Sequence, residues 1–343
     1  MTIDEIREKV KTDEEYNFLK TNEHLGRNTI LLGLGGSYAY GTNKETSDID
    51  IRGIALPTRK EIILNQNWEQ VINNVTDTTV YDFRKIIKLL TDCNPNTIEI
   101  LGLRPNQYLY LSQAGKLLLE NKKLFLSQKA IYTFGGYAKD QLRRCENKSA
   151  RVASQSEQEK HILESISHAF GAFKENYTEF EDDAIKMYID KAVNEDFDKE
   201  IFLDINLHHY PLRDYKDIIL EMQSIEKAYS KIGKRNNHAI KHEKLGKHMM
   251  HLVRLYLMCL DILEKEEINT YRENDIPFLM EIRNGKYLDD NKQVIPEFFD
   301  IIRDLDVKLE EAAKNTSLPK DPNRKEIDEL TYTILYDYVI KES

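Results

Sequence analysis

The period of the apolar positions changes once along this chain. Over roughly the first 125 residues it shifts every few positions, and beyond Gln128 it settles into a helical repeat. Short apolar runs bounded by turn formers predict strands at Ile30–Leu34, Ile49–Leu56, Gln70–Val75 and Asp77–Tyr81. Pro57-Thr58 closes the second, and Thr58 is placed to cap a helix over Arg59–Leu64. Asp82 stands where an N-cap belongs, ahead of an amphipathic run from Phe83 to Leu90; Pro95 then breaks the chain and Ile98–Leu101 restarts it. Further on, the period predicts helices over Lys129–Glu146, Ser156–Glu175, Tyr215–Ile232, Lys244–Lys265, Pro296–Lys314 and Lys325–Ile340. Lys148–Gln155 and Gly233–Lys241 read as polar loops, and Leu318-Pro319-Lys320-Asp321-Pro322 as a break. The expected architecture is α+β: a mixed sheet with helices over residues 1–125, then an α-helical domain over 126–343 packed over its cleft.

Composition narrows the class. With 41% hydrophobic and 31% charged residues the chain reads as a soluble, folded protein. No apolar run approaches the ~20 residues a membrane span needs, so no membrane partner is expected. The first residues, MTIDEIREKVKTDEEYNFLK, are charged and amphipathic without a secretory core. Cys93, Cys145 and Cys259 are scattered and odd in number, as incidental thiols of a reducing compartment are, and cytoplasm is the expected location. A net charge of −10 weighs against extensive contact with a polynucleotide. Basic clusters remain at Gly136–Arg144 and Lys231–His248, each readable as a solvated face or linker, or as a phosphate contact.

The candidate chemistry is concentrated between Leu31 and Gly53, in LLGLGGSYAYGTNKETSDIDIRG. An apolar strand delivers the backbone into Gly35-Gly36-Ser37, and a second strand carries Asp48 and Asp50. Strand side chains alternate, so the two carboxylates share one side while Ile49 and Ile51 point into a core. Like charges held together call for a cation. Hard oxygen ligands of this number suit Mg²⁺, which fills its remaining positions with water and substrate phosphate. Glycines at 35 and 36 let a triphosphate approach the backbone, and a short helix opening at Ser37 would offer free N–H groups and a hydroxyl. Each part alone is commonplace. Their succession is not.

GGSYAYGTNKETSDIDIRG resembles the G-S-x-x-x-G-T…S-D-x-D pattern of polymerase-β-type nucleotidyltransferases. Within that superfamily it is most similar to the nucleotidyltransferases that sit beside RNA ligases in bacteria and phages, which also carry the Asp-Ile-Arg-Gly seen here at Asp50–Gly53. Segments at Tyr81–Lys85, Asn94–Glu99, Lys247–Leu255 and Ile282–Gly285 extend the likeness over most of the chain.

The resemblance implies a polymerase-β-type sheet at the N-terminus. It also implies Mg²⁺-dependent transfer of a nucleoside monophosphate from an NTP to a hydroxyl, with two metal ions (Mn²⁺ an alternative) held by Asp48 and Asp50. A third carboxylate is usual, from a neighbouring strand. Asp77 is the choice, with Asp82, which has a ready role as an N-cap, and Glu99 behind it. Gly36, Ser37 and Thr42 are the candidate phosphate contacts of the motif. Lys247, His251 and Arg254 fall at i, i+4 and i+7 on one helix face, which would suit a triphosphate or equally a plain polar face. Arg283 is a lesser candidate, and Asn284-Gly285 beside it is a helix stop. Arg52 shares the face of both aspartates, for a structural ion pair or for phosphate. ATP is the nucleotide by analogy. The RNA-ligase neighbourhood implies an RNA or tRNA end as acceptor, whereas the acidic balance favours a smaller or a protein acceptor, the latter as in AMP-transferring toxin–antitoxin relatives. A nucleotide-binding protein without turnover is the third reading, against which stands the complete set of Gly36, Ser37, Asp48 and Asp50.

Overall fold

Thr29–Leu34 (β1) is buried along its whole length, which is why TILLGL lacks the alternation of a strand with one wet face. It lies inside a five-stranded sheet with Ile51–Ala55 (β2), Gln70–Asn73 (β3), Thr78–Asp82 (β4) and Tyr108–Leu111 (β5), in the order β3-β4-β2-β1-β5. β1 runs antiparallel to β2 and β5, β3 antiparallel to β4, and β2 parallel to β4. The sheet is therefore mixed, as the sequence pattern predicts.

The computed structural model describes residues 1–136, 138, 142, 155–193, 199–229, 243–290 and 294–341. The chain falls into two compact units, one of residues 1–140, 250–281 and 300–343, the other of 141–249 and 282–299. A single break after residue 125 does not coincide with this division, because helices beyond residue 250 complete the unit that holds the sheet.

In the first unit one face of the sheet packs Leu32, Ile51, Ala55 and Val80 against Tyr16, Leu19 and Leu25. Burial of that apolar cluster is the main force holding the N-terminal segment on the sheet. The opposite face carries Gly33, where an added Cβ would stand 2.5 Å from the Leu103 side chain. Arg52 and Thr79, paired in register, share this second face. Helix Phe83–Thr91 starts at Asp82, whose carboxylate accepts the N–H groups of Arg84 and Lys85.

Several boundaries differ from the expected ones. The ladder begins at Ile51, not Ile49, because the chain facing it turns into helix Gly36–Tyr40 and leaves Asp48 no strand to pair with. β4 begins at Thr78, since Asp77 has φ 44, outside the extended region. Pro95 opens a short helix, Pro95–Ile98, rather than breaking one, its missing N–H costing nothing at that position. β5 and helix Gln113–Glu120 carried no expectation.

The second unit has its own core. Helices Gln155–Asn176 and Leu212–Tyr229 pack Ile162, Ile166, Phe173, Ile218 and Met222 on Ile185 and Met187 of a hairpin, Ile185–Lys191 (β6) with Lys199–Ile205 (β7). The helices bear out the α-helical expectation for residues 126–343, and this hairpin is an addition to it. Its period of two, with Ile185 and Met187 buried and Lys186 and Tyr188 exposed, is the signal that a helical reading passes over. Helix Ile276–Arg283 ends before Asn284-Gly285 with Gly285 at φ 92, as a helix stop should. Cys145, most of Gly136–Arg144 and residues 231–242 of the second basic cluster lie outside the described residues, as do both predicted polar loops apart from Gln155.

Candidate active site

The motif turn is built around one carboxylate. The Gly35 N–H donates to the Asp50 carbonyl at 2.7 Å, closing β1 against the chain that enters β2. Gly36 has φ 51 and opens helix Gly36–Tyr40. A Cβ on Gly35 would stand 2.5 Å from Asp50 Oδ1, and one on Gly36 2.8 Å from Oδ2. The two glycines thus make room for the Asp50 carboxylate itself, a reason the sequence did not disclose. Gly41, at φ 72, ends the helix where a Cβ would meet Tyr271 at 2.5 Å.

Ile49 packs against the core below the sheet. The extended chain around it therefore turns Asp48 and Asp50 to the other side, Asp48 exposed and Asp50 partly covered. Arg52 Nη1 lies 2.8 Å from Asp50 Oδ1 and 3.7 Å from Asp77 Oδ1. Asp77 reaches this point because Ile51 pairs with Thr78 in parallel register. Its carbonyl accepts from the Ile51 N–H at 3.1 Å, while its side chain is 61% exposed. The structure thus brings Asp50 and Asp77 to one guanidinium.

The alternatives to Asp77 are committed elsewhere. Asp82 is buried at the far end of β4, capping a helix and paired with Arg84 at 3.0 Å. Glu99 is buried, accepts the Tyr40 hydroxyl at 3.0 and 2.9 Å, and pairs with Arg254 at 3.2 Å. The Arg254 guanidinium lies over the Tyr40 ring, 3.7 Å from its centroid, and His251 meets the same ring edge-on at 5.7 Å. Burial pushes the Glu99 carboxyl above its ordinary pKa, against the opposing pull of Arg254 and Tyr40. It raises the Tyr40 phenol too, an effect Arg254 opposes and Glu99 reinforces. The Tyr81 phenol is also raised, by burial first, with Arg52 and Lys85 opposing and Glu99 and Asp50 adding to it.

The helix face of Lys247, His251 and Arg254 is graded rather than uniform. Lys247 is exposed, His251 half-buried and Arg254 buried. Arg254 spends its charge on Glu99 and on the tyrosine that ends the motif helix, so it serves the turn from below. Lys247 belongs to the second unit. Ser37 is partly exposed at the helix start, where the first N–H groups lack partners within the helix. Thr42 is buried, and its N–H donates to the Ser37 carbonyl at 2.9 Å. The network of Tyr40, Glu99 and Arg254 was missed as a unit. The signal available was an arginine flanked by Val253 and Leu255 in a largely apolar stretch of helix, where a buried charge needs a partner.

Among the described residues, no group of three or more His, Cys, Asp or Glu side chains is gathered closely enough to enclose a metal ion by itself. Such a cage is not what Mg²⁺ asks for: one or two carboxylates suffice when substrate phosphate supplies the rest. The donors present fit that requirement. Asp50 sits in a glycine cradle with a cationic nitrogen at 2.8 Å, and a cation is what that position already holds.

Residues 8–170 match one family model. It is RlaP, the RNA repair pathway DNA polymerase beta family. The matched segment contains the whole motif, the five-stranded sheet and Glu99, and its likeness to a polymerase beta family suggests a nucleotidyltransferase. Arg254 and the rest of its helix lie beyond the RlaP match. The chain is also similar to an uncharacterized 38.9 kDa protein of Enterobacteria phage T4, from the nrdC-mobD intergenic region. Identity there is 22% over 319 residues, covering 84% of this chain and 91% of the phage protein. No solved structure matches the chain.

Proposed function

We propose that this protein is a Mg²⁺-dependent nucleotidyltransferase that moves AMP from ATP to an acceptor hydroxyl on an RNA or tRNA end. The observation that carries the reading is the Asp50 carboxylate held against Gly35 and Gly36, beside Asp48 and facing Asp77 across the β2–β4 pair. Asp48, Asp50 and Asp77 are the residues that would hold two divalent ions. Bound there, such ions lower the pKa of an acceptor hydroxyl and offset charge on the entering and leaving oxygens.

The rest of the work falls to this chain. Ser37 and the N–H groups opening helix Gly36–Tyr40 orient the phosphates. Gly36 keeps side-chain bulk away from them, and Thr42 fixes the return of the turn by its bond to the Ser37 carbonyl. Tyr40, Glu99 and Arg254 hold the helix from beneath, and His251 packs on the same ring. Lys247 is left as a candidate for the nucleotide. The RlaP match, in a family described by RNA repair, supports an RNA acceptor. A second reading, AMP transfer to a protein hydroxyl, is favoured by the net charge of −10. No described helix is long and apolar enough to cross a membrane; the scattered, odd-numbered cysteines support a cytoplasmic location.

The test is incubation with Mg²⁺, each α-³²P-labelled NTP and either total RNA or cell lysate. Label in RNase-sensitive material, lost in Asp48→Asn and Asp50→Asn, is the expected result. Protease-sensitive label selects the second reading. Labelling that survives both substitutions would sink the metal assignment.

A further inference from the structure

Arg52 stands at an unusual place for a strand arginine. One nitrogen, Nη1, faces five oxygens where β2 and β4 begin: Asp50 Oδ1 at 2.8 Å, Asp77 Oδ1 at 3.7 Å, the Ile51 carbonyl at 3.3 Å, the Asp77 carbonyl at 3.2 Å and Thr79 Oγ1 at 3.5 Å. That is the hard-oxygen surrounding in which a divalent cation is stable. We propose that Arg52 is the resident counter-ion of the carboxylate site, and that a divalent cation entering the site must displace it from Asp50. The inference rests on the reading of Asp50 as a metal ligand.

The argument is electrostatic. Carboxylates brought together by a glycine turn and a parallel strand pair repel unless a cation sits among them. A guanidinium is charged at every accessible pH, so it neutralises the site whether or not metal is present. Metal and arginine cannot both take the same face of Asp50 Oδ1. The Arg52 side chain is 25% exposed, so on release it finds water instead of becoming a buried, unpaired charge. Its contacts to the Asp77 carbonyl and the Thr79 hydroxyl are neutral and tether it beside the site. The site is thereby kept folded without metal, at the cost of weaker metal binding than its carboxylates alone would give.

Binding of Mn²⁺ alone to the full chain, followed by electron paramagnetic resonance of the free ion, tests this. Arg52→Gln should bind Mn²⁺ about tenfold more tightly than the parent, about 1.4 kcal/mol, and adding Asp50→Asn should remove that gain. The same variant should unfold at lower temperature without metal and gain more from Mn²⁺ than the parent does. Arg52→Lys, which keeps the charge but loses the planar fork, should tighten binding by roughly threefold, and it decides the matter if the glutamine variant does not fold. Equal or weaker Mn²⁺ binding in the Arg52 variants, with parent binding still dependent on Asp50, overturns the competition and leaves the metal site standing. Absence of any Asp50-dependent Mn²⁺ binding, in parent and variants alike, overturns the metal site and the competition with it.

Discussion

Two arginine–carboxylate pairs stand in the same unit and do different work. Arg52–Asp50 is part-wet, with side chains 25% and 18% exposed, whereas Arg254–Glu99 is dry, at 5% and 11%. The dry pair is hemmed by Tyr40, which both donates to the carboxylate and lies under the guanidinium. Neither partner can leave without stranding the other in a medium that solvates it poorly. The wet pair has water as an alternative partner. Similar chemistry thus gives a fixed strut in one place and an exchangeable contact in the other, and the exchangeable one stands at the glycine turn beside Asp77.

The largest effect that would break this contrast is Arg254→Ala. It leaves the Glu99 carboxylate buried without its cation and should cost about 3–5 kcal/mol in urea unfolding. The double change Arg254→Met with Glu99→Leu should recover most of that loss, because the dry pair contributes little beyond what packing can replace. Tyr40→Phe removes one donor from the strut and should cost about 1 kcal/mol. Arg52→Gln, at the wet pair, should cost less than about 1 kcal/mol without metal. A cost for Arg52→Gln as large as that for Arg254→Ala would erase the distinction.

The smallest effect is in pH. The Glu99 carboxyl is raised above its ordinary value by burial. The folded state therefore holds that proton more tightly than the unfolded chain does. The stability it contributes is full below the ordinary glutamate pKa and is lost as pH rises through the higher folded value. The melting temperature of the parent should fall relative to that of Glu99→Gln across this interval, and an unchanged difference would place the carboxylate in a wetter setting than the one described.

The same contrast explains what the sequence disclosed. Asp50 and its glycines were legible because a turn, a strand and two carboxylates lie within one short stretch. Asp77 was legible as a choice, since a neighbouring strand was visible, but its left-handed backbone was not. Glu99 and Arg254 are 155 residues apart, and no local pattern marks such a pair. Arg254 reads as a polar point on a helix face until the partner beneath it is known. The β6–β7 hairpin was overlooked for a different reason: its alternation is clear, but it lies between two helices of strong period. Asp82 is the opposite case, a cap recognised from its place before an amphipathic run.

The sheet-bearing unit is assembled from three separated stretches of chain. The Tyr338 hydroxyl donates to Asn28 at 2.7 Å across a separation of 310 residues, and Gln128 donates to the Leu318 carbonyl at 2.8 Å. During synthesis, then, the strands that carry the motif leave the ribosome long before the helices that cover them. The nascent sheet must wait with apolar surface uncovered, and closing such long loops makes folding slow. A fragment holding only residues 8–170, the stretch that matches RlaP, would contain every motif aspartate and yet lack Arg254 and the closing helices. Held in that state it should need a chaperone to stay in solution, so the length of chain required for folding is set by partners far outside the motif.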